Sequence, residues 1–308
     1  MKKILPLLLL LLNCSAAFAE SKEIKTPAKT EESATEKSED AAVNKKFEEL
    51  KEITDAKMKA DAGSLSRFSL RFGLTYYGPP VGDLGALNQP NPDSTVSNTA
   101  TAISGSAGLR YRMSSSSSLS LTAGVSDQYP LRNVQKLDAN NPSLTWDKAF
   151  RIGNVQMLSS PGATFVTSAV YRNIGQSWGV NYGLSSVYAI PDSKFAVGVD
   201  AGVSYWFYNR AYVKSDGKVR RENLTAYPVV KFNITDKLNI NTSSAFSLYN
   251  PRASTSRFDL YHRTFNQRVA VGYAVTRDIY VAPYIQFYPS VMGMNTTTFN
   301  IATSFSVL

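Results

Sequence analysis

The chain has 308 residues, of which 43% are hydrophobic and 19% are charged, with a formal net charge of +9. This composition is typical of a folded protein and not of a disordered one. The longest strongly apolar run covers residues 4–12, which is too short to cross a bilayer as a helix. A membrane protein built from transmembrane helices is therefore excluded.

The N-terminus has the pattern of a secretory signal peptide. Two lysines at positions 2 and 3 precede the apolar run over residues 4–12, and the small-residue site Ala17-Phe18-Ala19 follows it. The pattern predicts a signal peptide over residues 1–19 and a mature chain that begins at Glu20.

The single cysteine, Cys14, falls inside this predicted signal peptide. A lipoprotein interpretation of Cys14 is disfavoured because Asn13 stands where a lipobox has a small residue. The mature chain then contains no cysteine, which excludes disulfides and a cysteine nucleophile. One histidine, His262, remains, so a cage of histidine ligands around a metal ion is excluded and neither a metal nor a cofactor is predicted.

Residues 20–63 contain 12 acidic and 9 basic residues and almost no aromatic ones. Such a segment buries too little apolar surface to fold alone, so we expect a disordered tail. Within it, Val43, Phe47, Leu50 and Ile53 are spaced three and four residues apart. This spacing predicts a short helix over about residues 43–60.

From Ser64 to Leu308 the composition changes, and 22 basic residues face 12 acidic ones. Segment after segment alternates apolar and small polar residues with the period of a β-strand. The clearest example covers residues 195–207, and others lie at or begin near positions 68, 103, 119, 178, 224, 238, 265, 279 and 299. Two weaker segments cover residues 146–157 and 163–171. The pattern predicts about twelve strands.

Short turns and longer connections alternate along this part of the chain. Tight turns are predicted at residues 114–118, 159–162, 191–194, 235–237 and 276–278. Longer loops are predicted at residues 79–100, 127–145, 172–177, 209–223, 250–261 and 289–296. Aromatic residues cluster at both ends of the strands, for example Tyr76-Tyr77 toward the loops and Tyr111 toward the turns. Two aromatic girdles, with short turns at one end, are typical of a membrane barrel.

The chain from Ser64 to Leu308 resembles bacterial outer-membrane β-barrel proteins. The last strand, from Asn300 to Leu308, is similar to the C-terminal assembly signal of that class, with Ala302 in the place of the glycine. The predicted fold is all-β: an antiparallel up-and-down transmembrane barrel of about twelve strands. The resemblance implies a location in the outer membrane among lipids and lipopolysaccharide, both termini in the periplasm, and insertion by the barrel assembly machinery. The subfamily and oligomeric state stay open.

The alternation predicts which side chains face the lumen of this barrel. Five cationic residues and one acidic residue fall in the small polar register, and they are the candidate pore-lining residues: Arg71, Arg110, Arg112, Asp200, Lys231 and Arg268. A positive lumen favours anionic solutes. The alternative is that some of these arginines pair with Asp200 or with tyrosines and stiffen the wall, and that others lie at the rim and face water.

The loops add further basic residues, which form a basic outer mouth or an ordinary charged surface: Arg132, Lys136, Arg210, Lys214, Lys218, Arg220, Arg221, Arg252, Arg257 and Arg263. Aromatic residues do not interleave with them as they do in nucleic-acid sites, so a nucleic-acid partner is not predicted. The net negative tail either stays in the periplasm or enters the positive lumen as a plug.

An enzyme is the less favoured class. His262-Arg263-Thr264 with Asn266 matches the His-x-Ser of outer-membrane phospholipases over three positions, with threonine in place of serine. No catalytic residue is predicted. The sequence therefore predicts a passive diffusion channel for small polar or anionic solutes. The alternative is a closed barrel with a structural or adhesive role in the envelope, and an outer-membrane hydrolase comes third.

Overall fold

The structure, a computed structural model, covers the predicted barrel and the end of the tail. It describes residues 47, 53–93, 99–130, 136–209, 220–252, 256 and 258–307. The predicted signal peptide at residues 1–19 and most of the tail lie outside the described residues.

The described chain consists mainly of β-strands. They are β1 (Phe68–Pro80), β2 (Ala102–Ser114), β3 (Ser117–Gln128), β4 (Lys136–Ile152), β5 (Val155–Phe165), β6 (Gln176–Ala189), β7 (Phe195–Tyr208), β8 (Arg220–Asn233), β9 (Leu238–Pro251), β10 (Tyr261–His262), β11 (Asn266–Thr276), β12 (Ile279–Phe287) and β13 (Thr298–Val307). The helices are α1 (Ala56–Ala62) and α2 (Ala169–Arg172), with 3-10 turns at Pro289–Val291 and Met294–Thr296.

Twelve of these strands close into one antiparallel barrel. Sequential strands pair from β1 to β9, β9 pairs with β11, and β13 returns to β1. The two-residue strand β10 adds to the outer end of β9 and is not part of the ring. Closure leaves no strand edge unpaired, as a barrel in hydrocarbon requires. The predicted fold class and strand number are confirmed.

The two faces of the wall differ as the alternation predicts. In β7, Phe195, Val197 and Val203 are exposed on the outer face, whereas Ala196 is buried and Asp200 faces inward. Leucine, valine, isoleucine and aromatic side chains are exposed all round the outside of the barrel. An apolar outside with a small, polar inside suits a barrel surrounded by lipid.

Aromatic side chains form a band at each end of the outer face. At the end with the long loops, Trp178 stacks on Phe207 with ring centroids 4.0 Å apart. At the end with the tight turns, Phe68 lies against Tyr111 at 5.1 Å, and a second tilted pair joins β7 to β8. Such bands mark the two interfaces of a membrane with water.

The fourth and fifth strands differ from the prediction. The segment predicted at residues 146–157 contains a hairpin turn, because β4 ends at Ile152 and β5 begins at Val155. Gly153 has a φ of 56°, which a two-residue turn needs and which glycine tolerates. The turn predicted at residues 159–162 lies inside β5, and half of the loop predicted at residues 127–145 is strand β4. The pairing of β4 with β5 is interrupted near Pro161, which has no N–H to donate.

A helix lies in the described end of the tail and overlaps the end of the predicted one. Residues 53–55 are not helical, and α1 begins at Ala56 because the Asp55 side chain accepts a hydrogen bond from the Met58 N–H as an N-cap. The helix ends at Gly63, whose φ is 71°. Residues 43–46 and 48–52 of the predicted helix lie outside the described residues. No helix among those described is both long and apolar enough to span a bilayer.

Candidate functional site: the barrel lumen

The lumen has two ends that differ in their contents. We call the end with the tight turns the turn side and the end with the long connections the loop side. Residues 53–64, which comprise α1 and its flanks, pack on the inner wall at the turn side and are called the inner segment. The loop side contains an open cavity instead.

Ion pairs join the inner segment to the wall. Lys231 lies 2.7 Å from Asp55, and the two side chains are only 5% and 9% exposed. Lys57 binds Asp200 across 3.1 Å, and Arg71 lies 3.6 Å from Asp61. The buried pair is the critical one, because removing one partner would leave an uncompensated charge out of water.

Hydrogen bonds and apolar contacts hold the start of the segment. The buried side chain of Gln156 accepts from the N–H groups of Thr54 and Asp55 at 2.7 and 3.0 Å and donates to the Thr54 hydroxyl. Ile53 and Met58 are each 3% exposed and pack against apolar residues of β4 to β7, including Leu158. These inward-facing apolar residues would be unfavourable in a water-filled pore, so the inner segment covers a surface built to receive it.

Arginines hold the end of the segment through its backbone. Arg112 donates to the carbonyl oxygens of Ala62, Gly63 and Ser64 over 2.7 to 3.1 Å. Arg110, which is fully buried, donates to the carbonyl oxygen of Asp61 at 2.8 Å and lies 3.5 Å from Asp147. Carbonyl oxygens at the end of a helix need such donors because they have no partner within the helix.

The charge on Lys57 is well stabilised. Burial by itself would lower the pKa of this ammonium, but the carboxylates of Asp200, Asp61 and Asp55 outweigh it and raise the pKa above its usual value. Lys57 therefore stays protonated at any pH at which the barrel is studied, and its ion pair with Asp200 persists while that carboxylate is ionised.

The loop side holds a cavity of about 230 Å³. Arg220, Arg263 and Arg268 line it together with amide, hydroxyl and tyrosine side chains, and none of the described residues that line it is acidic. The Arg268 guanidinium lies 5.5 Å from the rings of both Tyr227 and Tyr284, and its Nε donates to Gln286 at 2.9 Å. Its remaining N–H groups stay free of any carboxylate in the described structure.

The six predicted residues all lie on the inner wall, in two groups. Arg71, Arg110, Arg112, Asp200 and Lys231 contact the inner segment. Arg268 alone borders the loop-side cavity. The alternative pairing of Asp200 with a wall arginine is not the one found, because Asp200 binds Lys57. Whether these residues line a conducting pore stays a prediction.

Several lumen residues were missed by the sequence analysis. Arg220 and Arg263 were assigned to outer loops, but both line the loop-side cavity. Arg277 was assigned to a turn, but its Nη1 donates to the Gly63 carbonyl oxygen at 3.0 Å. No sequence signal places Gln156 in the lumen, because the strand predicted at residues 146–157 runs through the turn between β4 and β5 and so has the wrong register there.

Other predicted surface residues have less to do with the lumen. Arg252 stacks on the ring of Tyr208 at 4.4 Å. Five basic residues of the predicted outer mouth lie outside the described residues: Arg132, Arg210, Lys214, Lys218 and Arg257. His262 is exposed on β10, opposite Leu248 of β9. Within the described residues, no three histidine, cysteine or carboxylate side chains come together as they would around a metal ion.

The fold and its lumen define a class, the outer-membrane β-barrel. Several solved structures are similar to it. The chain is similar to an outer-membrane channel of Pseudomonas putida F1, with a TM-score of 0.51, 11% identity and coverage of 80% of this chain and 97% of that one. The NanC porin matches with a TM-score of 0.42 and 8% identity over 77% and 98% of the chains. Omp33 of Acinetobacter baumannii matches with a TM-score of 0.39 and 11% identity over 78% and 98%.

No model of a known protein family matches the sequence, and no curated protein matches it either. The structural likeness therefore shows the fold alone: a twelve-stranded barrel of the kind found in bacterial outer membranes.

Proposed function

We propose that this protein is a passive diffusion channel of the bacterial outer membrane that favours small anionic or polar solutes. The observation that carries the proposal is the loop-side cavity, in which three arginines face a polar space and which no acidic residue among those described lines. A low-dielectric wall concentrates the field of such charges and raises the local concentration of anions. Selection then rests on size and electrostatics, without turnover.

Arg268 is the best placed of the three to act on a passing anion. The two flanking tyrosines and Gln286 fix the plane of its guanidinium at the wall, so little conformational entropy is lost when it binds a carboxylate or phosphate. The neighbouring amide and hydroxyl groups, such as those of Asn223 and Thr225, replace part of the hydration shell of a polar solute.

The inner segment belongs to the same proposal as a plug of the turn side. Its ion pairs and apolar contacts fill the lumen beneath the cavity, so the conformation described is a narrowed or closed one. In this class the tight turns face the periplasm. The inner segment then enters from the periplasm, where both termini lie, and the basic loops face lipopolysaccharide outside.

The filled turn side also favours the second candidate, a permanently closed barrel with a structural or adhesive role. The two candidates differ in one measurable property, the conductance of the barrel. A third candidate, hydrolysis at His262, has no group in the described structure that supports it.

The test is the ion selectivity of the refolded chain in a planar bilayer under a gradient of potassium chloride. The mature chain is measured with and without residues 20–62. We expect anion selectivity, and we expect Arg268→Ala to lower the ratio of chloride to potassium permeability by about 2- to 5-fold, the effect of one charge close to the ion path in a partly aqueous medium.

Arg172→Ala is the matched control, because Arg172 lies exposed on α2 and outside the cavity. It should leave selectivity unchanged. Equal effects of the two substitutions would contradict the role of Arg268. If the folded barrel does not conduct ions either with or without the tail, the channel proposal is wrong and the structural or adhesive role is favoured.

A further inference from the structure

The turn side of the lumen carries a second group of cations, distinct from the cavity arginines. Arg110, Arg112 and Arg277 surround the end of the inner segment, and Arg71 lies beside Asp61. We call these four residues the turn-side arginines. Most of their contacts to the inner segment are to its backbone.

Three of the turn-side arginines hold four consecutive carbonyl oxygens. Arg110 donates to the carbonyl oxygen of Asp61. Arg112 donates to the carbonyl oxygens of Ala62, Gly63 and Ser64, and Arg277 also donates to that of Gly63. A guanidinium fork presents paired donors that match the oxygens of a carboxylate or a phosphate. The carbonyl oxygens therefore stand where the oxygens of such an anion would bind.

Buried polar groups at this position lack partners among the described residues. The Nη1 of the fully buried Arg110 has no hydrogen-bond acceptor, and neither the hydroxyls of the neighbouring Ser69 and Ser306 nor the Asp147 Oδ2 has a hydrogen-bond partner there. Two of these groups lie beside Gly63, where a Cβ atom would be 1.6 Å from the Arg110 Nη1 and 3.1 Å from the Ser306 hydroxyl. A buried donor without an acceptor is costly, and an oxyanion with several lone pairs would satisfy it better than a peptide carbonyl does.

The charges point the same way. The four turn-side arginines face three carboxylates in the described residues: Asp147 and Asp278 on the wall, and Asp61 on the inner segment. When the inner segment leaves, Asp61 and the neighbouring Lys59 leave with it, and among the described residues four wall cations face two carboxylates. The exposed wall would then carry two uncompensated positive charges, which favours the entry of an anion.

We infer that the turn-side arginines are a latent oxyanion site, which the inner segment occupies as a built-in substitute and from which a small phosphate- or carboxylate-bearing solute displaces it. The inference rests on the proposed function, because the solute reaches the site through the lumen. A solute of the class that the channel favours would then open it. The anion and the inner segment cannot bind the turn-side arginines at the same time, so binding of the anion shifts the lumen to its open state.

The test measures how far the inner segment is exposed as a function of the anion present. The mature chain has no cysteine, so Met58→Cys introduces a single thiol at a position that is 3% exposed. Its rate of modification by a water-soluble maleimide is followed in sodium phosphate and in sodium chloride at equal ionic strength. Equal ionic strength keeps the screening of the ion pairs the same in both salts.

We expect phosphate to raise the modification rate at least threefold over chloride and to do so with saturation. Arg112→Gln in the same background should raise the basal rate and abolish the difference between the salts. Arg172→Gln at the loop side is the matched control and should preserve the difference. Ile53→Cys, at the other end of the inner segment, should respond in parallel and guards against a folding defect peculiar to one variant.

Equal rates in phosphate and chloride for both thiol positions would overturn the inference. So would a phosphate effect that survives Arg112→Gln unchanged. Either result leaves the anion selectivity at Arg268 untouched, because selectivity is measured without reference to the segment. Conversely, a barrel that never conducts but shows the phosphate effect retains the oxyanion site and loses only the channel.

Discussion

At the scale of single residues, Asp55 links the helix of the inner segment to the wall. One carboxylate oxygen accepts from the Met58 N–H at 3.0 Å as the N-cap of α1, and the other lies 2.7 Å from the Lys231 ammonium. The two interactions are separable, because asparagine caps a helix about as well as aspartate but carries no charge.

We expect Asp55→Asn to loosen the inner segment almost as much as Asp55→Ala. Leaving buried Lys231 without its partner costs about 3 kcal/mol, whereas loss of the cap adds only about 1 kcal/mol. About 3 kcal/mol corresponds to a change of more than about 100-fold in the docking equilibrium. The maleimide reaction of Met58→Cys reports it, and Asp236→Asn in an exposed turn is the control. An Asn variant that behaves like the parent would mean that the cap, and not the charge, holds the segment.

The sequence could predict which residues face the lumen but not what they bind. Period-two alternation placed Arg110, Lys231 and Arg268 in the inward register, since that register follows from neighbours in the same strand. Their partners are far away in sequence: Asp55 and Lys231 are 176 positions apart. Such a contact depends on the path of the tail into the lumen, and no local pattern encodes that path.

At the scale of elements, α1 is a helix of seven residues that depends on its docking site. A helix this short is not stable alone in water. Its form is fixed by the cap at Asp55, by the apolar contacts of Met58 and by the arginines at its end. Helix and docking are therefore expected to be lost together.

A pair of proline substitutions tests this coupling. Ala60→Pro places a proline inside the helix, where it removes a hydrogen bond and costs about 3 kcal/mol, so we expect undocking and faster modification of Met58→Cys. Ala56→Pro places it at the first helical position, which tolerates proline, and Asp55 already has the extended backbone that precedes one, with a ψ of 127°. Equal modification rates in the two variants would show that docking does not need the helix.

The elements that escaped prediction did so for local reasons. The first half of β4 is rich in asparagine and contains Pro142, so it lacks the alternation that revealed β7. Its pairing with β3 is irregular at the same place, between Thr122 and Gly124. The Gly-Asn pair at residues 153–154 was the available signal for the hairpin, because this dipeptide is typical of a two-residue turn.

At the scale of the whole molecule, the barrel and its contents follow different rules. The barrel follows from one pattern that every strand repeats, an apolar outer face and hydrogen bonds to two neighbouring strands. Twelve such strands close into a ring in which β1 pairs with β13. Its strand number and architecture could therefore be predicted from the sequence. The division of the lumen into a turn side that holds the inner segment and a loop side with a cavity could not be predicted, because it depends on residues outside the repeat.

The central claim is that the inner segment closes a lumen that otherwise conducts anions. The measurement that tests it most directly is the single-channel conductance of the mature chain, of a variant that lacks residues 20–62, and of a control that lacks residues 20–40 and keeps α1 with its anchors. Circular dichroism and heat-modifiable gel mobility verify that all three barrels are folded.

We expect a several-fold higher, anion-selective conductance only when residues 20–62 are absent, with the control at the level of the mature chain. The same conductance in all three proteins would contradict the account, because the segment would then occupy the lumen without closing it.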